Sequence, residues 1–165
     1  MRAIGSGGID RATARALVLG HALYPQAIAD HVETLAVLPI ADRAAATLRD
    51  RMVDLVMAGQ MLDRQGIATI LEDEVTGAAW RDVTKGGDIG FTFTRLDSDP
   101  ELARRDLSLA IEALVATAEI EAALGAATDR FKADLDDETA FAEQQRLHGL
   151  REAMKERLAS LAGNE

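Results

Sequence analysis

The amino-acid sequence predicts an all-α fold, in which a helical bundle is followed by a long connecting helix and a C-terminal helical hairpin. Alanine and leucine dominate the apolar residues, which make up 48% of the 165-residue chain, and this composition favours helices over sheets. Apolar residues also recur at three- and four-residue spacing. Between positions 98 and 162 a single acidic stretch, at 134–137, interrupts this pattern. The last part of the chain therefore predicts two long helices, at about 98–133 and about 137–162.

The first 97 residues predict a short linker and then an N-terminal bundle. Residues 1–9 are rich in glycine, which is typical of a linker to an upstream segment and equally of a ragged terminus. Helical spacing of apolar residues predicts helices at about 10–23, 25–35, 42–57 and 66–75, and a short one at 78–83 that buries Trp80. We therefore divide the chain into a linker, a helical bundle, and a long helix with its hairpin, at 1–9, 10–97 and 98–165.

A glycine-rich stretch at 85–90 separates the bundle from the long helix. Positions 91–94 alternate apolar and polar residues like a strand, but the sequence offers no second strand, so we expect an extended connector. Ser98 and Glu101 fit a capping box, and Pro100 suits a first helical turn. The long helix is therefore expected to begin at Ser98.

The hairpin is expected to project from the bundle. The helix predicted at about 98–133 would span about 50 Å, whereas a compact domain the size of this chain has a radius of gyration of only about 15 Å. Gly125 costs about 1 kcal/mol relative to alanine within a helix and is a candidate bend. Asp136 or Asp137 can cap the last helix. A projecting hairpin with an apolar stripe indicates a surface for a partner.

The charge distribution favours a protein partner over nucleic acid. The net charge is −10, and residues 97–138 contain 12 acidic and 4 basic groups, whereas residues 139–165 contain four of each. Binding to a phosphate backbone needs clustered lysine and arginine, so no direct contact with nucleic acid is expected. The alternative is that acidic charge simply keeps a helical domain in solution.

The composition also limits location and chemistry. Cysteine is absent, which excludes disulfides and thiolate metal sites and agrees with a cytoplasmic location. No apolar run approaches the roughly 20 residues of a membrane span, and no signal peptide is visible.

The sequence predicts no catalytic residue, no cofactor and no metal ligand. His21, His31 and His148 are scattered along the chain and are interpreted as ordinary surface or half-buried histidines. Ser108 has no evident base or orienting partner. Three further segments were considered as ion sites and lack the required residues. They are 97–99 for magnesium, 134–137 for calcium, and 86–90 for phosphate. An all-α enzyme with carboxylate metal ligands is therefore the third hypothesis, behind two kinds of binding module.

The last helix carries the residues that we expect to bind a partner. An amphipathic helix of this kind docks its apolar side in a groove, and arginines set its orientation against carboxylates of the partner. The predicted partner-binding residues are Phe141, Leu147, Leu150, Arg151, Met154, Arg157 and Leu158. The alternative is that the apolar members pack against Leu124 and Phe131 inside the hairpin.

Several sequence elements occur in an order and spacing that resemble one known family. They are Arg15-Ala16-Leu17-Val18-Leu19-Gly20 with Tyr24-Pro25-Gln26, the Ile70-Leu71 helix, Trp80, the Asp99-Pro100-Glu101 helix start, the Leu107 to Leu124 helix, and Gln144 to Glu152. From about position 11 to position 162, the chain resembles the C-terminal, helicase-binding region of bacterial replicative DNA primase.

The resemblance implies a module of the primosome that docks on the N-terminal domains of the hexameric replicative DNA helicase. Primase, and with it RNA primer synthesis, is thereby held at the replication fork. The zinc-binding and polymerase domains of that family are missing from this sequence, so this chain alone is not expected to be an enzyme. Some relatives contact single-strand-binding protein through basic residues at their extreme C-terminus, and the present ending, Ala162-Gly163-Asn164-Glu165, departs from that pattern.

The second hypothesis is a free-standing helical adaptor or regulator of a replicative helicase, such as a helicase loader. Fold alone does not separate it from a primase module. An upstream Cys/His zinc motif and a polymerase domain in the genomic reading frame would favour primase, whereas a genuine start at Met1 would favour the adaptor.

Overall fold

In the computed structural model the described residues are 9–86 and 90–163, and within them the chain forms seven α-helices and one short 3-10 helix. The α-helices are α1 (Arg11–Leu23), α2 (Gln26–Val37), α3 (Arg43–Met57), α4 (Arg64–Leu71), α5 (Gly77–Thr84), α6 (Pro100–Ala133) and α7 (Glu138–Leu161), and the 3-10 helix is Thr92–Thr94. The same ranges contain no β-strand, although an isolated bridge joins Ile9 to Ile40. The all-α prediction is confirmed. The predicted linker before Ile9 and the centre of the glycine-rich stretch, 87–89, lie outside the described residues.

One hydrophobic core, called the main core below, joins α1 to α5, the 3-10 helix and the first half of α6. Each helix turns its apolar stripe inward, as its three- and four-residue spacing predicts. Fully buried side chains include Leu17, Ile28, Leu48, Met52 and Leu107. Trp80, which was expected to be buried, is half-buried at the edge of this core.

Two segments differ from the sequence prediction. α4 ends at Leu71 and not at about 75, because the Asp73 carboxylate accepts hydrogen bonds from two backbone N–H groups downstream, at 2.9 and 3.1 Å, and holds a turn there. The extended connector predicted after the glycine-rich stretch is wrong. Phe91 and Phe93 are both buried with their rings stacked 4.8 Å apart, so the chain coils into the 3-10 helix to bring both rings inward.

α6 begins at a different cap from the one predicted. Asp99, and not Ser98, is the N-cap residue, and its carboxylate accepts hydrogen bonds from the backbone N–H groups of Glu101 and Leu102 at 2.9 and 3.1 Å. A carboxylate at this position satisfies two free donors and also lies at the positive end of the helix. The helix then continues through Gly125 without a break, and its 34 residues span about 51 Å.

α6 belongs to the main core only in its first half. Its packing against that core ends at Val115, and the remaining 18 residues to Ala133 extend about 27 Å farther. α7 returns along this extension, and its end packs Leu158, Leu161 and Ala162 against the main core. The two units predicted from the sequence therefore share one core at the base of the hairpin.

Candidate functional site

The outer part of the hairpin, residues 116–151, is called the distal hairpin below. It is a pair of antiparallel helices. In such a pair each step forward along α6 is matched by a step back along α7, so a constant register gives contacting residues whose numbers have the same sum. Three contacting pairs each add to 272. Gln144 donates a hydrogen bond to Thr128 at 2.9 Å, the ring centroids of Phe131 and Phe141 lie 5.8 Å apart, and Arg151 forms an ion pair with Glu121 at 3.7 Å. α7 therefore runs alongside α6 without a shift in register from the Glu121–Arg151 pair to the Phe131–Phe141 pair.

A small apolar cluster of its own holds the distal hairpin together. Leu124, Ala127 and Leu147 are buried in it, and Ile120 is half-buried against them. The cluster is separate from the main core and involves few side chains. Since local stability follows the number of buried apolar contacts, the distal hairpin is held less firmly than the bundle.

Aspartates fix the turn at the end of the distal hairpin. Asp137 caps α7 by accepting a backbone hydrogen bond at 2.9 Å, and it also forms an ion pair with Arg130 at 3.6 Å. Asp134 accepts a hydrogen bond from the backbone N–H of Asp136 at 3.0 Å. The sequence prediction that one of two aspartates caps the last helix is thus confirmed for Asp137. Leu135, which lies between Asp134 and Asp136, is 73% exposed.

Four of the seven residues predicted to bind a partner are buried or half-buried within the chain. Leu147 is 3% exposed inside the distal cluster, and Leu158 packs against the main core. Met154 is half-buried, and Arg151 is paired with Glu121. Leu147 thus packs against Leu124 inside the hairpin, as the alternative to partner binding predicted, whereas Leu158 packs against the main core.

The geometry of α7 explains which apolar residues stay exposed. At about 100° per residue, Leu147, Met154 and Leu158 lie within about 40° of one another and form the side that faces α6 and the bundle. Phe141 lies about 120° from the centre of that stripe on one side, and Leu150 about 60° from it on the other. Phe141 is 50% exposed and Leu150 is 38% exposed. The remaining apolar surface therefore flanks the buried stripe on opposite edges.

Some exposed charges of α7 form local ion pairs, whereas Arg157 forms none with the residues that the structure describes. Glu143 and Arg146 form an ion pair at 2.6 Å. The hydrogen bonds from Arg146 lower the pKa of the Glu143 carboxyl, and the same contact raises the pKa of Arg146. Arg157, the seventh predicted residue, is exposed near the base of the hairpin. It lies one residue from Leu158, far along α7 from Phe141.

The tip of the hairpin, residues 129–141, combines exposed apolar side chains with acidic charge. Leu135 and Phe141 are at least half exposed, and Phe131 supports the ring of Phe141 from α6. Positions 129–138 contain five acidic and two basic residues. Such a surface fits a groove that is apolar at its centre and basic at its rim. Leu135 was not among the predicted partner-binding residues, although a single leucine among three aspartates in a helix break was a signal for it.

The structure offers no conventional metal centre in its described part. Among residues 9–86 and 90–163, no three or more His, Asp or Glu side chains come close enough together to hold an ion. Over the same two ranges, no helix combines the length and the apolar character that crossing a bilayer requires.

Comparison of the chain with protein-family models, with curated proteins and with solved structures found no match. The resemblance to the helicase-binding region of DNA primase therefore stands on the sequence elements named above. The evidence for the candidate partner-binding site is the geometry of the distal hairpin.

Proposed function

We propose that this chain is the helicase-binding module of a bacterial DNA primase, which recruits RNA primer synthesis to the hexameric replicative helicase at the replication fork. The observation that supports this most is the distal hairpin, which extends about 27 Å beyond the main core and ends in the exposed Leu135 and Phe141. The extension contributes no buried side chain to the main core. Apolar side chains held away from a bundle are typical of a docking surface.

In this proposal the tip of the hairpin inserts into a groove on the N-terminal domains of the helicase. Leu135 and the Phe141 ring are the anchors, and burying their exposed fractions contributes about 1–2 kcal/mol each. Phe131 holds the Phe141 ring in place from the other helix, which reduces the entropy lost on binding. The acidic groups of the tip pair with basic groups at the rim of the groove and speed association.

The test is a calorimetric titration of this chain into the replicative helicase of the same organism. We expect the double variant Leu135→Asp and Phe141→Asp to bind about 30-fold more weakly or worse, since about 2–4 kcal/mol of apolar burial is lost. The matched control is Met57→Asp with Met61→Asp. Those methionines are 73% and 87% exposed on the bundle, and the control adds the same charge.

The outcomes separate the function from the site. Absence of binding by the unaltered chain contradicts the proposed function. Binding that both double variants retain equally leaves the function standing but contradicts the tip as its site. A free-standing helicase adaptor would also bind the helicase, and the presence of zinc and polymerase domains in the same reading frame distinguishes primase from that alternative.

A further inference from the structure

A chain of hydrogen bonds through two histidines and a serine joins α1, α2 and α6 within the bundle. His21 Nδ1 lies 2.8 Å from the carbonyl oxygen of Leu17, and His21 Nε2 lies 3.1 Å from His31 Nδ1. His31 Nε2 in turn lies 3.2 Å from Ser108 Oγ. The expectation that Ser108 lacks a neighbouring base is wrong, and His21 is fully buried where a surface or half-buried histidine was expected. The three side chains meet only when the helices pack.

One set of proton positions satisfies every contact in this chain. A carbonyl oxygen can only accept, so His21 Nδ1 carries a proton and donates it to Leu17. His21 Nε2 is then an acceptor, so His31 Nδ1–H donates to it, and Ser108 Oγ–H donates to the remaining lone pair on His31 Nε2. Burial lowers the pKa of His21 to about 4, and burial also lowers the pKa of His31. Both rings are therefore neutral at pH 7, with a basic nitrogen facing the Ser108 hydroxyl.

The Ser108 hydroxyl departs from the usual behaviour of hydroxyls in helices, which donate to the backbone carbonyl four residues earlier. Among the described residues, four threonine hydroxyls do so at 2.8–2.9 Å, namely those of Thr47, Thr69, Thr84 and Thr117. Ser108 Oγ instead contacts the imidazole of His31. The hydroxyl of Thr34, near His31 on α2, makes no hydrogen bond to any of the described residues. Both Ser108 and Thr34 line the same cavity.

That cavity has a volume of about 450 Å³ and lies between α2 and α6. Ile111, Val115 and Ala116 provide apolar lining, and Glu112 and Glu119 add carboxylates. The apolar lining suits a short acyl chain, whereas the carboxylates disfavour an anionic ligand. The lining therefore favours a small neutral or cationic ligand over a carboxylate or a phosphate.

We propose that Ser108 is a base-activated nucleophile, with His31 as its general base, and that it takes an acyl group from short-chain neutral or cationic esters. A hydroxyl, a neutral imidazole within hydrogen-bond reach, and a further group that orients that imidazole are the parts that nucleophilic catalysis requires. Here the orienting group is His21. The site lies in the bundle and is independent of the docking function proposed for the distal hairpin.

The reaction proceeds in two balanced steps. Ser108 Oγ attacks the carbonyl carbon of the ester while its proton passes to His31 Nε2, and the leaving alkoxide departs as an alcohol after taking that proton. Water then attacks the acyl-serine, gives a proton to His31, and Ser108 Oγ recovers it as the carboxylic acid leaves. The Thr34 hydroxyl is a donor available to the carbonyl oxygen as negative charge develops. The charges of Asp30 and Glu112 favour the imidazolium that forms on His31.

The test is incubation of the full chain with p-nitrophenyl acetate, followed by peptide mass mapping of the acetylated serines. We expect acetyl-Ser108 to form at least tenfold faster than acetyl-Ser98 and acetyl-Ser160 in the same sample. Ser108→Ala should remove the corresponding burst of nitrophenolate, and Ser160→Ala, the matched control, should keep it. His31→Gln should slow acetylation of Ser108 at least tenfold while far-ultraviolet circular dichroism stays unchanged.

A pH series on the unaltered chain keeps the test decisive even if His31→Gln fails to fold. Acetylation of Ser108 should fall as the solution is acidified, because His31 takes up a proton and no longer accepts one from the serine. Acetylation of all three serines at equal rates, or a Ser108 rate that stays level where His31 becomes charged, would overturn the proposal.

Discussion

Replacing Leu147 by alanine measures how independently the distal hairpin is stabilised. Leu147 is 3% exposed and packs with Leu124, Ala127 and Ile120, apart from the main core. Truncating a buried leucine to alanine costs about 2–5 kcal/mol through lost burial and the cavity left behind. The distal cluster has few other side chains that can close that cavity. We therefore expect the loss of stability to be confined to the distal hairpin, while the bundle keeps its free energy of unfolding.

Hydrogen–deuterium exchange followed by mass spectrometry resolves the two regions. The lower end of the cost, about 2 kcal/mol, corresponds to roughly 30-fold faster exchange for amides that open locally. Peptides from 118–150 should show this acceleration, whereas peptides from α1, α2 and α3 should exchange at their original rates. Leu135→Ala is the matched control, because the same truncation at a side chain that is 73% exposed changes stability by less than about 0.5 kcal/mol.

Two results would refute this reasoning. Equal acceleration in all helices would show that the hairpin and the bundle open as one cooperative unit. Unchanged exchange in 118–150 would show that Leu147 contributes little to holding α7 on α6, and the small apolar cluster would then not be the element that supports the tip.

Three further substitutions or conditions test the fold and its pH dependence. Gly20→Ala should destabilise the protein by about 1–3 kcal/mol in urea unfolding, because the added Cβ would lie 2.6 Å from Phe93 Cδ2; an unchanged midpoint would contradict that packing. Asp99→Ala should cost about 0.5–2 kcal/mol through loss of the α6 cap, and Asp99→Asn, which keeps an acceptor, should cost less. The pKa of His21 falls from 6.5 to about 4 on folding, so the unfolded chain binds a proton that the folded chain excludes, and stability is lost as pH falls from 6.5 towards 4. Moving from pH 7 to pH 5 should therefore cost about 2 kcal/mol through this group, and a His21→Gln variant that loses as much over the same interval would show that His21 is not responsible.

The sequence by itself determined which segments are α-helical and where most of them end. Apolar residues at three- and four-residue spacing placed the helices of the bundle, and acidic residues around Asp137 marked the turn between the long helices. These signals are local, because a side-chain cap or a helical face depends on residues within one or two turns. Where several side chains compete for one local role, the pattern alone does not choose between them, and Asp99 takes the cap for which Ser98 was the sequence candidate.

Only the tertiary structure decided what covers each face. Helical spacing shows that Leu147 and Leu158 share a side of α7. It does not show that α6 and the main core cover that side, or that Phe141 lies outside the covered side and stays half exposed. The contact between His31 and Ser108 joins residues 77 positions apart, and no local pattern specifies such a distance. Burial and polar contacts depend on which helices pack together, and that is settled by the balance of apolar burial over the whole chain.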